Sequence, residues 1–316
     1  MKKFIIGFFV FILLLLVAAV AFPFLFKDKI IQAAKEAANK EMNASLNFSE
    51  LDVSLLQNFK NFPDVTLVVS NPNIVGKNQF LGDTLVSMDK LHLALDIKSV
   101  FQTGNPIKIN AIDIINANIY AKVDTGGIAN WDIMKPKEET KEPSKFSMNI
   151  SRFNIENTNI IYKDLQSGKS LDIENLNHEG KGNFTENIVD YQSETDIKSL
   201  SFFQGLVPYL KSVSLKNESE IKIDQTSKKY TFSNNKIVLN ALELILNGSL
   251  QQLDKDAMSL NLDFKTENND FKQILSLIPA IYKNNFSKIQ TKGNFDLKGT
   301  VDGLYRQNVY PKMDII

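Results

Sequence analysis

Asp124-Thr125-Gly126 is the one tripeptide in this chain with a precedent in acid–base chemistry. Two such loops can bring a pair of carboxylates together to share one proton, the arrangement used by aspartic proteases. No second Asp-Thr-Gly or Asp-Ser-Gly exists, and Gln166-Ser167-Gly168 lacks the acid, so a single copy could act only in a homodimer. A tight turn after a strand over 119–123 is the simpler reading. His92 and His178 are the only histidines and cysteine is absent, so neither imidazole has a partner at metal-ligand spacing. Each reads as a side chain on a strand face. No nucleophile elbow, phosphate-binding glycine loop, dinucleotide pattern or calcium loop occurs. Trp131, the single tryptophan, reads as a packing anchor beside the turn. The sequons Asn47-Phe48-Ser49 and Asn217-Glu218-Ser219 are expected by chance in an Asn-rich chain. These residues imply no enzyme, no cofactor and no metal.

What must carry the function is therefore the architecture that surrounds them. Ile109-Asn-Ala-Ile-Asp-Ile-Ile-Asn-Ala-Asn-Ile119 returns 41 positions later as Ile150-Ser-Arg-Phe-Asn-Ile-Glu-Asn-Thr-Asn-Ile160, and its first half recurs as Leu239-Asn-Ala-Leu-Glu-Leu-Ile245. Aliphatic residues two apart in a repeated unit mark stacked β structure. Leu91, Leu93, Leu95 and Ile97 alternate with polar or small residues, as do Val213, Leu215, Ile221 and Ile223, and Leu260, Leu262 and Phe264. Each such strand has one oily face and one wet face. The alternation slips between Asp113 and Asn116 and between Arg152 and Ile155, which predicts β-bulges that bend the sheet. Turns are expected at Ser70–Asn73, Thr103–Pro106, Gln166–Gly168 and Asn247-Gly248. Only Phe202 to Lys211 and Asp270 to Lys283 read as short later helices.

Composition narrows the class. With 316 residues and 43% hydrophobic content the chain can build a core, and its 36 basic residues balance its 36 acidic ones. A zero net charge argues against nucleic acid as a partner. Phe4 to Phe26 is uncharged, flanked by lysines, and as a helix spans ~34 Å against a hydrocarbon core of ~30 Å. It reads as an uncleaved signal anchor. The small-x-small triplet Ala19-Val20-Ala21 keeps a cleavable signal peptide as the alternative. Either way the body is expected outside the cytoplasm. The organisation is then an anchor at 1–27, a connecting helix at 28–45, a β unit at 46–134, a charged linker loop at 135–145 and continuing β repeats at 146–316.

A sheet of roughly fifteen strands has too few amphipathic helices here to cover its oily face. The fold expected is mainly β: a long, twisted, mostly antiparallel sheet curled into a groove with an apolar floor. The residues expected to face an acyl chain in that groove are Leu91, Leu93, Leu95, Ile112, Ile114, Val213, Leu215, Ile221, Ile223, Leu260, Leu262 and Phe264.

The order of several segments resembles the AsmA family: a membrane anchor, a short helix, Leu46-Asn-Phe-Ser-Glu-Leu-Asp-Val-Ser-Leu55, Phe62-Pro63, the strand 91–97, the strand pair 109–123 and Gly127-Ile-Ala-Asn-Trp-Asp-Ile133. Asp270 to Tyr282 followed by Thr291 to Gly303 is similar to the versions found in Bacteroidetes-like bacteria. The resemblance implies a single-pass inner-membrane protein with a periplasmic repeating β-groove. It also implies lipids as partners, phospholipid movement and outer-membrane biogenesis, with an outer-membrane or periplasmic protein at the distal end. The rival expectation is a scaffold that aids outer-membrane protein insertion without carrying lipid. Family members run longer, and the chain stops at Ile316 inside what reads as another strand, so either an N-terminal portion of a longer protein or a part that needs a partner is expected.

Overall fold

In a computed structural model the alternating segments form, among the described residues, nineteen strands, seventeen of them in one sheet. The structure describes residues 42–54, 64–96, 107–133, 146–184, 186–254, 257–266, 269–277, 293–306 and 309–316, with a few single positions besides. The expected anchor at 1–27 lies outside them, as do most of the expected connecting helix and charged loop. Among the described residues no helix is long and apolar enough to cross a membrane.

Four long stretches open the sheet, each broken once near its middle: β1 (Ala44–Asn47) and β2 (Glu50–Ser54), β3 (Asp64–Ser70) and β4 (Asn73–Gly76), β5 (Thr84–Ser87) and β6 (Lys90–Asp96), and β7 (Ile107–Ile115) and β8 (Asn118–Val123). β9 (Phe146–Asp164) is the fifth. The two halves of each stretch keep one continuous register with the next: Glu50 faces Ser70 and Asn47 faces Asn73, while Ser70 faces Lys90 and Asn73 faces Ser87. Two ladders result, β1-β4-β5-β8 and β2-β3-β6-β7, and both end on β9. The breaks line up into a crease across the sheet. Asn71, Asn116, Asn157 and Asn175 take left-handed φ values of 50°, 53°, 47° and 53° there, a conformation asparagine tolerates better than most residues. Their side chains join along the crease: Asn71 donates to Ser49 (2.9 Å), Asn116 to Asp89 (2.7 Å), Asn157 to Asn116 (2.9 Å) and Asn175 to Asn157 (3.0 Å). On its other side Phe48, Ala117 and Thr158 are buried.

The crease corrects two expectations. Ser70–Asn73 does not reverse the chain; it is one of the breaks. No bulge interrupts Asp113–Ile115 or Arg152–Ile155: residues 111–115 pair with 152–156 without a break, the register shifts between Ile109 and Ala111, and the bends fall at Asn116, the end of the first expected interval, and at Asn157, two residues past the second. A slip in periodicity marks a bend nearby but not the residue that turns left-handed.

The pairing of β9 with β7 and β8 is parallel, and it explains the repeat. Ile112 faces Phe153, Ile114 faces Ile155, Asn118 faces Asn159 and Ile119 faces Ile160. Side chains 41 residues apart bond directly, Asn157 to Asn116 (2.9 Å) and Asn159 to Asn118 (3.0 Å). The two copies are neighbouring strands in register. The third echo is different, because Leu239 and Leu242 face each other across a hairpin turn at Asn240.

Beyond β9 the chain is an antiparallel meander: β10 (Lys169–Lys181), β11 (Ile188–Gln204), β12 (Val207–Asp224), β13 (Lys229–Leu239), β14 (Leu242–Gln252) and β15 (Met258–Thr266). A detour through β16 (Asn269–Asp270), helix α1 (Phe271–Leu277) and β17 (Asn294–Phe295) returns to β18 (Lys298–Tyr305) beside β15, with β19 (Lys312–Ile315) at the edge. The turn expected at Gln166–Gly168 is present, and Asp164 organises it by accepting from the hydroxyl and N–H of Ser167 and the N–H of Gln166, which holds its carboxyl below the usual range. Asp224 does the same for Ser227 and Thr226, so an Asp-x-x-Ser signature marks both hairpins. Phe202 to Lys211 is not helical; it is the β11–β12 hairpin, whose alternation outweighs local helix propensity. Asn247-Gly248 lies within β14 and makes no turn. Of the expected helix 270–283, α1 covers 271–277 and the remainder lies outside the described residues.

Candidate functional site

Opposed residues in a ladder share a face, so the register assembles a site from strands far apart in sequence. Val69, Leu91, Ile114 and Ile155 form one row across β3, β6, β7 and β9; Leu67, Leu93, Ile112 and Phe153 form the next, and Leu95 joins beside Val65 and Ile109. In the meander Leu215 faces Ile197 and Leu239, Ile221 faces Tyr191 and Phe232, and Ile223 faces Val189 and Tyr230. Leu260 faces Leu250, Leu262 faces Val301, and Phe264 faces Leu246. All twelve residues singled out from the sequence therefore fall on one continuous face, although Val213, 1% exposed, is packed inside it. The other eleven are half-buried.

One further row was not singled out. On the far side of the crease Leu46, Ile74, Val86, Ile119, Ile160, Ile173 and Leu200 face one another in succession and end on Val213. The signal was available, since Ile119 and Ile160 are equivalent positions of the repeat.

Charges keep to the opposite face. Asp113 is buried there and held by Arg152, whose Nη1 stands 2.8 Å from Oδ1 and whose Nη2 donates to Oδ2 at 3.1 Å. His92 lies 3.9 Å from the same carboxylate, a position on the polar face and not in the apolar rows. In the meander the outward residues Glu179, Glu194, Lys216 and Glu218 are exposed while their apolar neighbours are not. Burial along the apolar face is uneven: Ile109, Leu176, Ile197 and Leu242 are buried, but among the described residues the largest side chains below 2% exposure are Val189, Val213, Asn235 and Thr158, with no Leu, Ile or Phe among them. α1 covers part of β12 and β14.

His178 stands on the apolar face, with Nδ1 2.9 Å from Thr195 Oγ1 and Nε2 2.9 Å from the Tyr191 hydroxyl. Burial lowers its pKa and raises that of Tyr191. Asp124 closes its own loop, accepting from the N–H groups of Gly126 (2.8 Å) and Ile128 (2.9 Å). Trp131 is 45% exposed and its ring lies 6.0 Å from that of Tyr162.

The strand tips beside Asp124 form an apolar rim. Leu165 N–H donates to Val123 (2.9 Å) and Gly205 N–H to Gly168 (2.7 Å), which draws three loops together. They present Ile128 (48% exposed), Leu165 (50%), Leu206 (98%) and Tyr209 (60%). The chain enters the sheet at the same place, where Asn43 N–H donates to Ile133 (2.6 Å).

The model of the AsmA family matches residues 1–298. The chain belongs to the AsmA family. That match takes in the crease, the parallel junction, the meander up to β18 and every residue of the apolar rows before it. No curated protein matches the chain. Family membership is consistent with a role at the cell envelope.

Proposed function

We propose that this AsmA-family protein is a membrane-anchored envelope protein. Its sheet curls into a groove, and the apolar face holds lipid acyl chains as phospholipid moves between inner and outer membranes. The observation that carries this reading is the run of half-buried apolar rows from strand to strand, which among the described residues no second sheet covers. Each methylene left in water costs ~0.8 kcal/mol, so a chain of about sixteen carbons needs ~13 kcal/mol of shelter to leave a bilayer. Rows that run from strand to strand offer this; isolated pockets do not. The function is binding and conduction, with no bond made or broken. The exposed rim of Ile128, Trp131, Leu165, Leu206 and Tyr209 supports a membrane-facing side, because it adjoins the point where the chain arrives from the apolar N-terminal run.

Two readouts on the full chain test this. Photo-reactive residues at Leu93 and Leu215 are expected to capture phospholipid in cells, and Trp131 emission is expected to be quenched by bilayer-embedded quenchers after reconstitution. Absence of lipid adducts at both positions rejects the groove. Unquenched Trp131 rejects the rim.

A scaffold role in outer-membrane protein insertion is the second reading. β19 favours it, since its side chains Met313 (62% exposed) and Ile315 (58%) are exposed and the register among the described residues pairs it with β18 alone, leaving a side that a partner strand could join. Lipid adducts confined to neither position, with a protein adduct at Met313, would favour the scaffold.

A further inference from the structure

The apolar rows are interrupted once, by an uncharged polar island. The row Val69, Leu91, Ile114 and Ile155 continues onto β10, β11 and β12 as His178, Thr195 and Asn217, then returns to Ile237. The adjacent row Leu67, Leu93, Ile112 and Phe153 continues as Gly180, Ser193 and Ser219. Apolar rows flank the island on both sides along the strands: Leu176, Ile197 and Leu215 toward the crease, Val189 and Ile223 away from it. At three strands of ~4.8 Å spacing the island is about 10 Å wide, the scale of a lipid's glycerol-ester region and not of its tails.

Its groups are prearranged. His178 bridges Thr195 and Tyr191, and the Ser219 hydroxyl donates to Asn217. The missing side chain at Gly180 makes room for Tyr191, because a Cβ at that position would displace the Tyr191 hydroxyl and ring. Across the bulge from Glu220, whose N–H it accepts at 2.6 Å, Asn235 is 2% exposed and its Nδ2 has no partner among the described residues. Asn235 faces Leu246, a member of the apolar rows, so an unsatisfied donor lies at the margin of the island. Lysines and carboxylates at paired positions of these strands, including Lys181, Glu179, Glu194, Lys216 and Glu218, alternate onto the other face.

We propose that this island binds the ester-carbonyl and hydroxyl region of a two-chain acyl glycerolipid. The tails lie in the flanking apolar rows and any charged headgroup is left in solvent. The proposal rests on the lipid-groove reading and specifies its ligand. A phosphate or free carboxylate would find no cation among the described residues of this face, and a bare hydrocarbon would leave the hydroxyl and amide groups without partners. An ester carbonyl takes up the Asn235 donor.

The test uses the full chain held in an amphipathic polymer and two fluorescent probes of equal carbon number, a diacylglycerol and a hydrocarbon without oxygen. Wild type is expected to bind the diacylglycerol more tightly. Asn235→Asp keeps the acceptor for Glu220 and removes the free donor; it is expected to weaken diacylglycerol binding about tenfold and leave the hydrocarbon within about twofold. Thr195→Val, away from the bulge, is expected to act in the same direction. Equal binding of both probes, unchanged in both variants, overturns the island as a site and leaves the groove standing. Failure of wild type to bind either probe overturns the groove itself.

Discussion

The parallel junction and the antiparallel meander solve the same problem differently. In the meander each strand pairs with the next through a short turn, so its register is set locally by devices such as the Asp164 and Asp224 turns. At the junction β9 must align with β7 and β8 across a gap of 41 residues, and no turn can set that alignment. Repeated side chains do so instead: Asn116 with Asn157 and Asn118 with Asn159 bond only in the observed register. A repeat in this chain is thus a means of alignment between strands that are not consecutive.

The largest perturbation is expected in the meander. Gly248 has φ +114°, and a Cβ there would meet the Asn261 carbonyl at 2.1 Å. Gly248→Ala is expected to cost about 3 kcal/mol. Because strands contact mainly their ladder neighbours, loss of amide protection in hydrogen exchange should concentrate in β13 to β18 and spare β7 to β9. Uniform loss along the whole sheet contradicts this locality.

A smaller loss with wider reach is expected at the junction. Asn157→Ala removes the bond to Asn116 and places a poor left-handed residue at φ 47°, for about 1–2 kcal/mol. Asn157→Gly keeps the backbone and isolates the side-chain share. Exchange should rise in both ladders that end on β9; a change confined to β9 and β10 would show that the asparagines are not what aligns the repeat.

The smallest effect is on pH dependence. His178 titrates below its ordinary value of 6.5 because burial disfavours the imidazolium, so the folded state binds fewer protons than the unfolded one. Its stability contribution is full above about pH 6.5 and is lost as pH falls from there toward the lowered folded value. Urea midpoints at pH 7.5 and 5.5 should differ for wild type and converge for His178→Gln. An unchanged difference in the variant would place the titrating group elsewhere.

Much of the apolar face was legible because β alternation assigns faces without knowing partners. Leu91, Leu93 and Leu95 are on one side of β6 whatever strand lies next to them. The hairpin at Phe202 to Lys211 was misread as a helix because the local apolar pattern there is short and interrupted by Pro208, and only pairing with β11 resolves it. The island at His178, Thr195 and Asn217 was not legible. Its members lie on three strands, and each alone is an ordinary polar residue in a β segment.

The sequence by itself determined the β periodicity, the apolar and polar faces, the balanced charge, the family and the existence of a 41-residue repeat, since each is written in residue type and local spacing. Tertiary structure decided that the two copies lie parallel and in register, that the bends at Asn71, Asn116 and Asn157 share one crease, and that Asn235 has a donor unpaired among the described residues. Those features depend on which strands become neighbours, and a period of two leaves that choice open.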